Sequence, residues 1–106
     1  MDHIFTVSEI IAVLNETLKQ VQPIVQGEIG EISIYPRYVY FTLRDKQSEA
    51  LINCMMAKSI LDKNGIELKQ GTEVQVQGSF NIYDRYGKLT FMVRRVQLVS
   101  LLGNRS

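Results

Sequence analysis

Two short segments of the chain place tyrosine and arginine together in nearly the same order. Residues 35–38 read YPRY and residues 83–86 read YDRY, and each lies where one run of alternating apolar residues gives way to the next. Phenol rings offer flat faces on which nucleobases stack, and guanidinium groups attract phosphates. The two segments therefore predict a nucleic acid as the partner. An alternative is that tyrosines simply suit half-buried positions beside strands.

Two strands next to these segments extend the same chemistry. Residues 38–44 and 51–56 alternate in polarity, so their polar positions share the outer face of a predicted hairpin. Tyrosines there would stack on bases, arginines and Lys88 would follow phosphates, and Thr42 or Asn53 would hydrogen-bond base edges or sugars. A solvated sheet face is the competing interpretation. The predicted binding residues are Tyr35, Arg37, Tyr38, Tyr40, Thr42, Arg44, Asn53, Met55, Arg85, Tyr86 and Lys88.

A helix is predicted near the start of the chain. Thr6 and Glu9 have the spacing of a capping box, and apolar residues recur at helical spacing as far as Val21, before Pro23. Its polar face is acidic, which disfavours a role on membranes. We expect the apolar stripe to pack on the rest of the domain through Val7, Ile10, Ile11, Leu14, Leu18 and Val21.

Five strands are predicted after Pro23. The first covers 25–34, with a bulge at Gly30 where the alternation changes phase, and 38–44 and 51–56 follow as the hairpin. A short helix at 57–61 closes near Gly65, and the last two strands cover 74–82 and 89–98. The final strand changes phase at the adjacent Arg94 and Arg95. The side chains in the apolar phase predict a core that includes Phe41, Leu43, Cys54, Phe80 and Phe91.

This order of elements predicts a mainly β protein with the five-stranded Greek-key barrel called the OB-fold. Ligands of that fold bind on strands 2 and 3 and on the loops that join strands 1 to 2 and 4 to 5. The two tyrosine segments fall on those two loops. We expect an N-terminal helix at 1–22 packed on the barrel, a nucleic-acid-binding barrel at 23–100 and a tail at 101–106.

The charge distribution favours a polyanion partner more than the net charge does. The 106 residues carry a net charge of only +1, and their 45% hydrophobic content suffices for one core. Acidic residues predominate before residue 32, whereas residues 85–106 contain five basic side chains and no acidic one. The N-terminal part of the sequence is thus acidic and the C-terminal part basic, although a solvated mixture of surface charges is the simpler explanation.

The cysteine content and the amino terminus predict a cytoplasmic protein. Cys54 is the only cysteine, so no internal disulfide is possible, and Asp2 and Glu9 interrupt any apolar leader. No stretch approaches the ~20 apolar residues that would cross a bilayer, so no membrane partner is expected.

Catalysis by this chain alone is not expected, and no cofactor or metal is predicted. His3 is the one histidine, and the carboxylates fall singly on different predicted elements. Nucleases that use metals need such ligands to converge on a cation. Asp45 and Glu49 are close in sequence, but a turn is an ordinary place for both. Cys54 lies in the apolar phase of its strand, which indicates a buried side chain without catalytic function.

Four segments resemble the amino-terminal domain of the exodeoxyribonuclease VII large subunit. They are FTVSEI at 5–10, GEI at 27–29, YFTLRD at 40–45 and the stretch from VQG at 76–78 to Tyr83. The resemblance implies an OB-fold that binds single-stranded DNA and presents it to a following catalytic domain, in a complex with a small nuclease subunit. The chain departs from the family pattern at Gly30-Glu31, at 36–38, and at Arg94 and Arg95. It is expected to be an excised domain of a hydrolase or a stand-alone relative.

Three functional hypotheses follow. The first is a non-catalytic single-stranded DNA-binding domain that serves a nuclease. The second is an assembly module that contacts protein through the N-terminal helix or the edge strands. The third is a tRNA anticodon-binding barrel, because the YFTLRD segment also resembles the OB-folds of class II aminoacyl-tRNA synthetases.

Overall fold

The computed structural model describes residues 2–99, so the expected tail at 101–106 lies outside the described residues. Within that range the chain forms α1 (Val7–Leu18), β1 (Ile24–Ile34), β2 (Tyr38–Arg44), β3 (Leu51–Ala57), α2 (Lys58–Asn64), β4 (Glu73–Ile82) and β5 (Leu89–Leu98). The predicted short helix therefore begins one residue late and extends to Asn64. Gly65 ends it in the left-handed conformation, at φ 63°.

The strands close into a barrel in the order β1-β2-β3-β5-β4. β1 is long enough to pair with β2 along one part and with β4 along another, and its register shifts between Ile29 and Ile32, around the predicted bulge at Gly30. β3 and β5 run parallel where the barrel closes, at the pair Cys54 and Phe91. This five-stranded barrel, with a helix between β3 and β4, confirms the predicted OB-fold.

The core consists of the side chains that share the inward phase of each strand. Val39, Phe41 and Leu43 of β2 are buried, as are Cys54 and Phe91. Burial raises the pKa of the Cys54 thiol to about 12. Phe80 is only partly buried; it packs against the barrel core, and its ring centroid lies 4.6 Å from that of Phe91.

The N-terminal helix differs from its prediction in length and in packing. The capping box is present, since the backbone N–H of Glu9 donates to Thr6 Oγ1 at 3.1 Å. The helix ends at Leu18, however, and residues 19–21 form a turn. Of the predicted stripe only Ile11 is buried, whereas Val7 is 75% exposed. The packing prediction was wrong for most of the stripe, because α1 contacts the barrel mainly along β4 and most of its apolar side chains stay exposed.

A second bulge lies in β5 at the predicted change of phase. Gln77 of β4 pairs with Arg95, but Gly78 pairs with Val93, so Arg94 is the extra residue. A Cβ atom on Gly78 would overlap the Met92 carbonyl oxygen. The close approach of the two strands therefore requires glycine at position 78.

Candidate nucleic-acid interface

The first tyrosine segment forms the loop that leads from β1 into β2, and the second forms the loop between β4 and β5. The first turn is closed by the backbone N–H of Tyr35, which donates to the Tyr38 carbonyl at 2.8 Å. The second loop is closed by the N–H of Tyr83, which donates to the Lys88 carbonyl at 2.9 Å. A concavity of about 510 Å³ between them is lined by both loops and by the neighbouring strands through Ser33, Tyr35, Tyr38, Tyr40 and Lys88. The fold thus brings one cation of the second loop to the rings of the first.

The tyrosine rings of this concavity pack on each other and remain accessible. The rings of Tyr35 and Tyr40 meet edge to face, with centroids 5.7 Å apart. Tyr35, Tyr38 and Tyr40 are each about half exposed. Part of each ring is therefore free to contact a ligand.

Tyr83 also belongs to this cluster, although it was absent from the predicted set. Burial raises the pKa of its phenol, and the neighbouring Tyr40 and Tyr38 raise it further. Its hydroxyl donates to Met55 Sδ at 3.3 Å. The sequence signal for Tyr83 was its place at the start of the YDRY segment, where it occupies the position that Tyr35 has in the first.

Met55 requires a correction. Its register opposite Tyr40 places it on the predicted outer side of β3, but it is only 8% exposed. The Tyr83 phenol contacts its sulfur, and the side chain also lines a groove towards β5. Met55 therefore lies beneath Tyr83 and adds little exposed surface to the β2–β3 face.

Thr42 and Asn53 lie side by side on β2 and β3, as predicted. Both line a shallow cavity of about 200 Å³ together with Tyr83, Lys88 and Glu31. The hydroxyl oxygen of Thr42 already accepts a hydrogen bond from the backbone N–H of Glu31 at 3.0 Å, which stabilises the β1 bulge. Its proton remains available to a ligand. The Glu31 carboxylate adds a negative charge that disfavours a phosphate at this point.

The basic residues do not all gather at the loops. Arg37 lies in the first turn, where its carbonyl accepts a hydrogen bond from the N–H of Lys58 at 2.8 Å. Arg85 lines a cavity on the side of the second loop nearest α1. Arg44 lies at the far end of β2 and lines a different cavity, near Ala50. It lies six residues along the strand from Tyr38, or about 20 Å, so it cannot contact the same nucleotide.

Tyr86 occupies the tip of the second loop. Its side chain is 91% exposed, and its backbone φ is 70°, which is uncommon outside glycine. Gly87 follows with φ 57°. These two left-handed residues turn the chain back towards β5 and leave the Tyr86 ring without packing partners in the barrel core.

The basic residues near the site form no ion pair with the part of the chain that the structure describes. Within residues 2–99 the ion pairs join Lys19 to Glu16, Lys46 to Glu73, Lys58 to Asp62 and Lys69 to Glu67. Arg37, Arg44, Arg85 and Lys88 take part in none of them. Their charges are therefore not neutralised by a carboxylate of the described chain.

Neither a metal-ligand cluster nor a membrane span is found in the described part of the chain. No group of three or more histidine, cysteine, aspartate or glutamate side chains there could hold a metal ion. Asp45 instead accepts a hydrogen bond from the N–H of Gln47 at 2.9 Å, which stabilises its turn. No helix between residues 2 and 99 has the length and apolar character needed to span a bilayer.

Known proteins share both the sequence pattern and the fold. The chain is 33% identical over 75 residues to the exodeoxyribonuclease 7 large subunit of Nautilia profundicola, an alignment that covers 70% of this chain and 16% of that relative. This confirms the predicted resemblance; the chain spans about a sixth of the length of that relative.

Two solved structures have similar folds at low sequence identity. The asparaginyl-tRNA synthetase of Pyrococcus horikoshii has a TM-score of 0.62 at 15% identity, covering 78% of this chain and 20% of the synthetase. The mitochondrial single-stranded DNA binding protein Rim1 of S. cerevisiae has a TM-score of 0.59 at 14% identity, covering 74% and 93%. Residues 5–97 match the family model described as OB-fold nucleic acid binding domain, and the chain therefore belongs to that family.

Proposed function

We propose that this chain binds single-stranded DNA on the β2–β3 face, between the two tyrosine loops, and catalyses no reaction itself. The observation that carries the proposal is the shared concavity, in which Lys88 of one loop lies among exposed rings of the other loop and of β2. A cation beside several aromatic faces suits a nucleotide, which presents a phosphate and a flat base together.

Each residue has a role in this proposal. Tyr38, Tyr40 and Tyr86 stack on bases, and Tyr35 supports Tyr40 through its ring edge. Lys88, Arg37 and Arg85 contact phosphates around the loops, and Asn53 and the Thr42 proton reach base edges or sugars. Arg44 contacts a phosphate only if the bound DNA strand extends along the whole length of β2.

The similarity to a much longer nuclease subunit supports a place for this domain in DNA breakdown. Because the chain matches only 16% of that relative, catalysis would take place in another part of a longer protein. In this proposal the barrel presents single-stranded DNA to a cytoplasmic nuclease. Its partners there are a catalytic domain and a small subunit.

A protein-assembly role is the second candidate, because α1 leaves apolar side chains exposed. Val7, Val13 and Leu14 are all exposed on a helix whose buried contact is Ile11. Such a face suits a helix or strand of another protein. If this surface were the only function, the tyrosine face would have no affinity for nucleic acid.

A competition assay tests the proposal. A fluorescent single-stranded oligonucleotide bound to the chain is chased with unlabelled single-stranded DNA, duplex DNA or RNA of the same sequence. We expect single-stranded DNA to displace the label best, because the face binds unpaired bases. Equal displacement by RNA would favour the anticodon-binding hypothesis, and failure to bind the label at low salt would leave the assembly role.

A lysine pair supplies the matched control. Lys88→Ala should weaken oligonucleotide binding, whereas Lys63→Ala on the exposed end of α2 should not. Both variants should keep the melting temperature of the parent chain, because both residues are at the surface. Equal loss in the two variants would mean that net charge, and not the shared concavity, determines binding.

A further inference from the structure

A groove lies on the other side of Tyr38 and Tyr83 from the concavity described above. It has a volume of about 580 Å³ and runs between the end of β3, α2 and β5. Tyr38 and Tyr83 line both the groove and the β2–β3 face. A nucleic-acid strand that leaves the β2–β3 face past these two rings therefore enters the groove directly.

The groove has an apolar floor and a basic rim. Met55, Ile60, Phe80 and Met92 contribute apolar surface. Methionine side chains are flexible, and their sulfur atoms make favourable contacts with aromatic rings, so this floor suits a flat base of any identity. The charged residues that line it are Lys19 and Arg94, and none of the described lining residues is acidic. Lys19 forms a surface pair with Glu16 at 3.3 Å, which is weak enough to be exchanged for a phosphate.

Arg94 is directed to this groove by the β5 bulge. In a regular strand Arg94 and Arg95 would point to opposite faces. Because Arg94 is the extra residue, both arginines are exposed while Val93 and Val96 on either side are buried. Only Arg94 lines the groove, and neither arginine is in an ion pair among residues 2–99. The bulge thus leaves a cation at the rim that pairs with no carboxylate of the described residues.

We propose that the groove is a second subsite for single-stranded nucleic acid, in which a base lies on the apolar floor and a phosphate contacts Arg94. The inference rests on the proposed function, because the strand reaches the groove from the β2–β3 face. A DNA strand bound between Tyr35 and Lys88 passes over Tyr38 and Tyr83 and continues towards β5. The bound length is therefore greater than the β2–β3 face alone would accept.

The length dependence of binding tests this subsite. Affinity is measured for oligothymidylates of about 4 and about 12 nucleotides, near the short end and towards the long end of the range that OB-folds bind. Arg94→Ala should weaken the longer oligonucleotide about tenfold, the value of one charge-assisted hydrogen bond, and should leave the shorter one nearly unchanged. For the longer strand, the slope of log K against log salt should fall by about 0.7.

Arg95→Ala is the matched control, because it removes the same charge from the adjacent residue outside the groove. It should affect the long and short oligonucleotides alike and only slightly. Equal effects of the two variants at both lengths would overturn the subsite, as would an Arg94→Ala loss that is the same for short and long strands. If the parent chain binds neither oligonucleotide, the proposed function itself fails, a result distinct from either of these.

Discussion

Asn15 joins α1 to the strand that leads into the second tyrosine loop. Its amide nitrogen donates to the Ile82 carbonyl at 2.9 Å, and the Ile82 N–H donates to its amide oxygen at 2.7 Å. β1 pairs with β4 only as far as Gln77, so the last residues of β4 have no strand on that side. A side chain therefore satisfies backbone groups that a neighbouring strand would otherwise satisfy.

The substitution Asn15→Ala removes both hydrogen bonds. Each contributes a net ~0.5–1.5 kcal/mol, so the free energy of unfolding should fall by about 1–3 kcal/mol. A change of 1 kcal/mol moves the melting temperature of a domain of this size by about 4–8 °C. Alanine favours the helix by a few tenths of a kcal/mol, which leaves a net loss of about 0.5 kcal/mol or more, so the melting temperature should fall by about 2 °C or more. The second loop should also lose order, because it begins at the next residue.

Thermal denaturation followed by circular dichroism measures this effect. Thr17→Ala is the control, because Thr17 is exposed on the same helix and its hydroxyl donates to the Val13 carbonyl at 3.2 Å, within α1. That variant gains helix propensity without losing a contact to β4. Asn15→Asp keeps the acceptor for the Ile82 N–H but places a carboxylate beside the Ile82 carbonyl, and should be destabilised too. A melting temperature for Asn15→Ala equal to that of Thr17→Ala would refute the argument.

Four further predictions concern binding, salt, pH and catalysis. Tyr38→Ala and Tyr86→Ala should each weaken oligonucleotide binding by about 1–3 kcal/mol in fluorescence titrations, while phenylalanine at either position retains most of it; unchanged affinity in both alanine variants would place the surface elsewhere. For a short oligonucleotide, phosphate contacts with Arg37, Arg85 and Lys88 predict a slope of log K against log salt of about −2. A fourth contact, with Arg44, would make the slope about −3, and a slope of zero would exclude all four contacts. Burial raises the pKa of the Cys54 thiol from 9.0 to about 12, so as pH rises the unfolded chain loses this proton before the folded chain does. The free energy of unfolding of the parent chain, measured relative to Cys54→Ala, should therefore fall between pH 9 and 12, by up to about 1.4 kcal/mol per pH unit. A difference between the two proteins that does not change with pH would contradict this. Labelled single-stranded DNA should remain intact on incubation with the chain and magnesium or manganese, and cleavage that Asp45→Ala abolishes would contradict this.

The barrel could be predicted from the sequence because each strand has one face in the core. Alternation at Val39, Phe41 and Leu43 identified the buried face of β2, and the structure buries all three. The changes of phase at Gly30 and Arg94 marked both bulges, since an extra residue in a strand reverses the side to which later residues point. The positions of the loops followed once the strands were assigned.

The contacts around the site could not be predicted in the same way. The alternation of apolar and polar residues predicts on which side of β3 Met55 lies, but it does not predict that Tyr83 of the β4–β5 loop covers it. Helical spacing identified the apolar stripe of α1, but the width of its contact depends on β4, which is distant in sequence. Arg44 shares the face of Tyr38, but alternation could not show that Arg44 lines a separate cavity near Ala50.

The two tyrosine segments have almost the same sequence, yet the fold gives their tyrosines different tasks. Tyr38 is half exposed, begins β2 and lines both the concavity and the groove, so alanine there should reduce stability as well as affinity. In the second segment the anchoring is done by Tyr83, through its backbone and its hydroxyl, and by the Asn15 contacts of Ile82 just before it. Tyr86 is left free at the tip, so its replacement should reduce affinity alone. Because the stem of the second loop is anchored and its aromatic tip is free, we expect the tip to adjust to nucleobases of different size, so the proposed binding should not be selective for sequence.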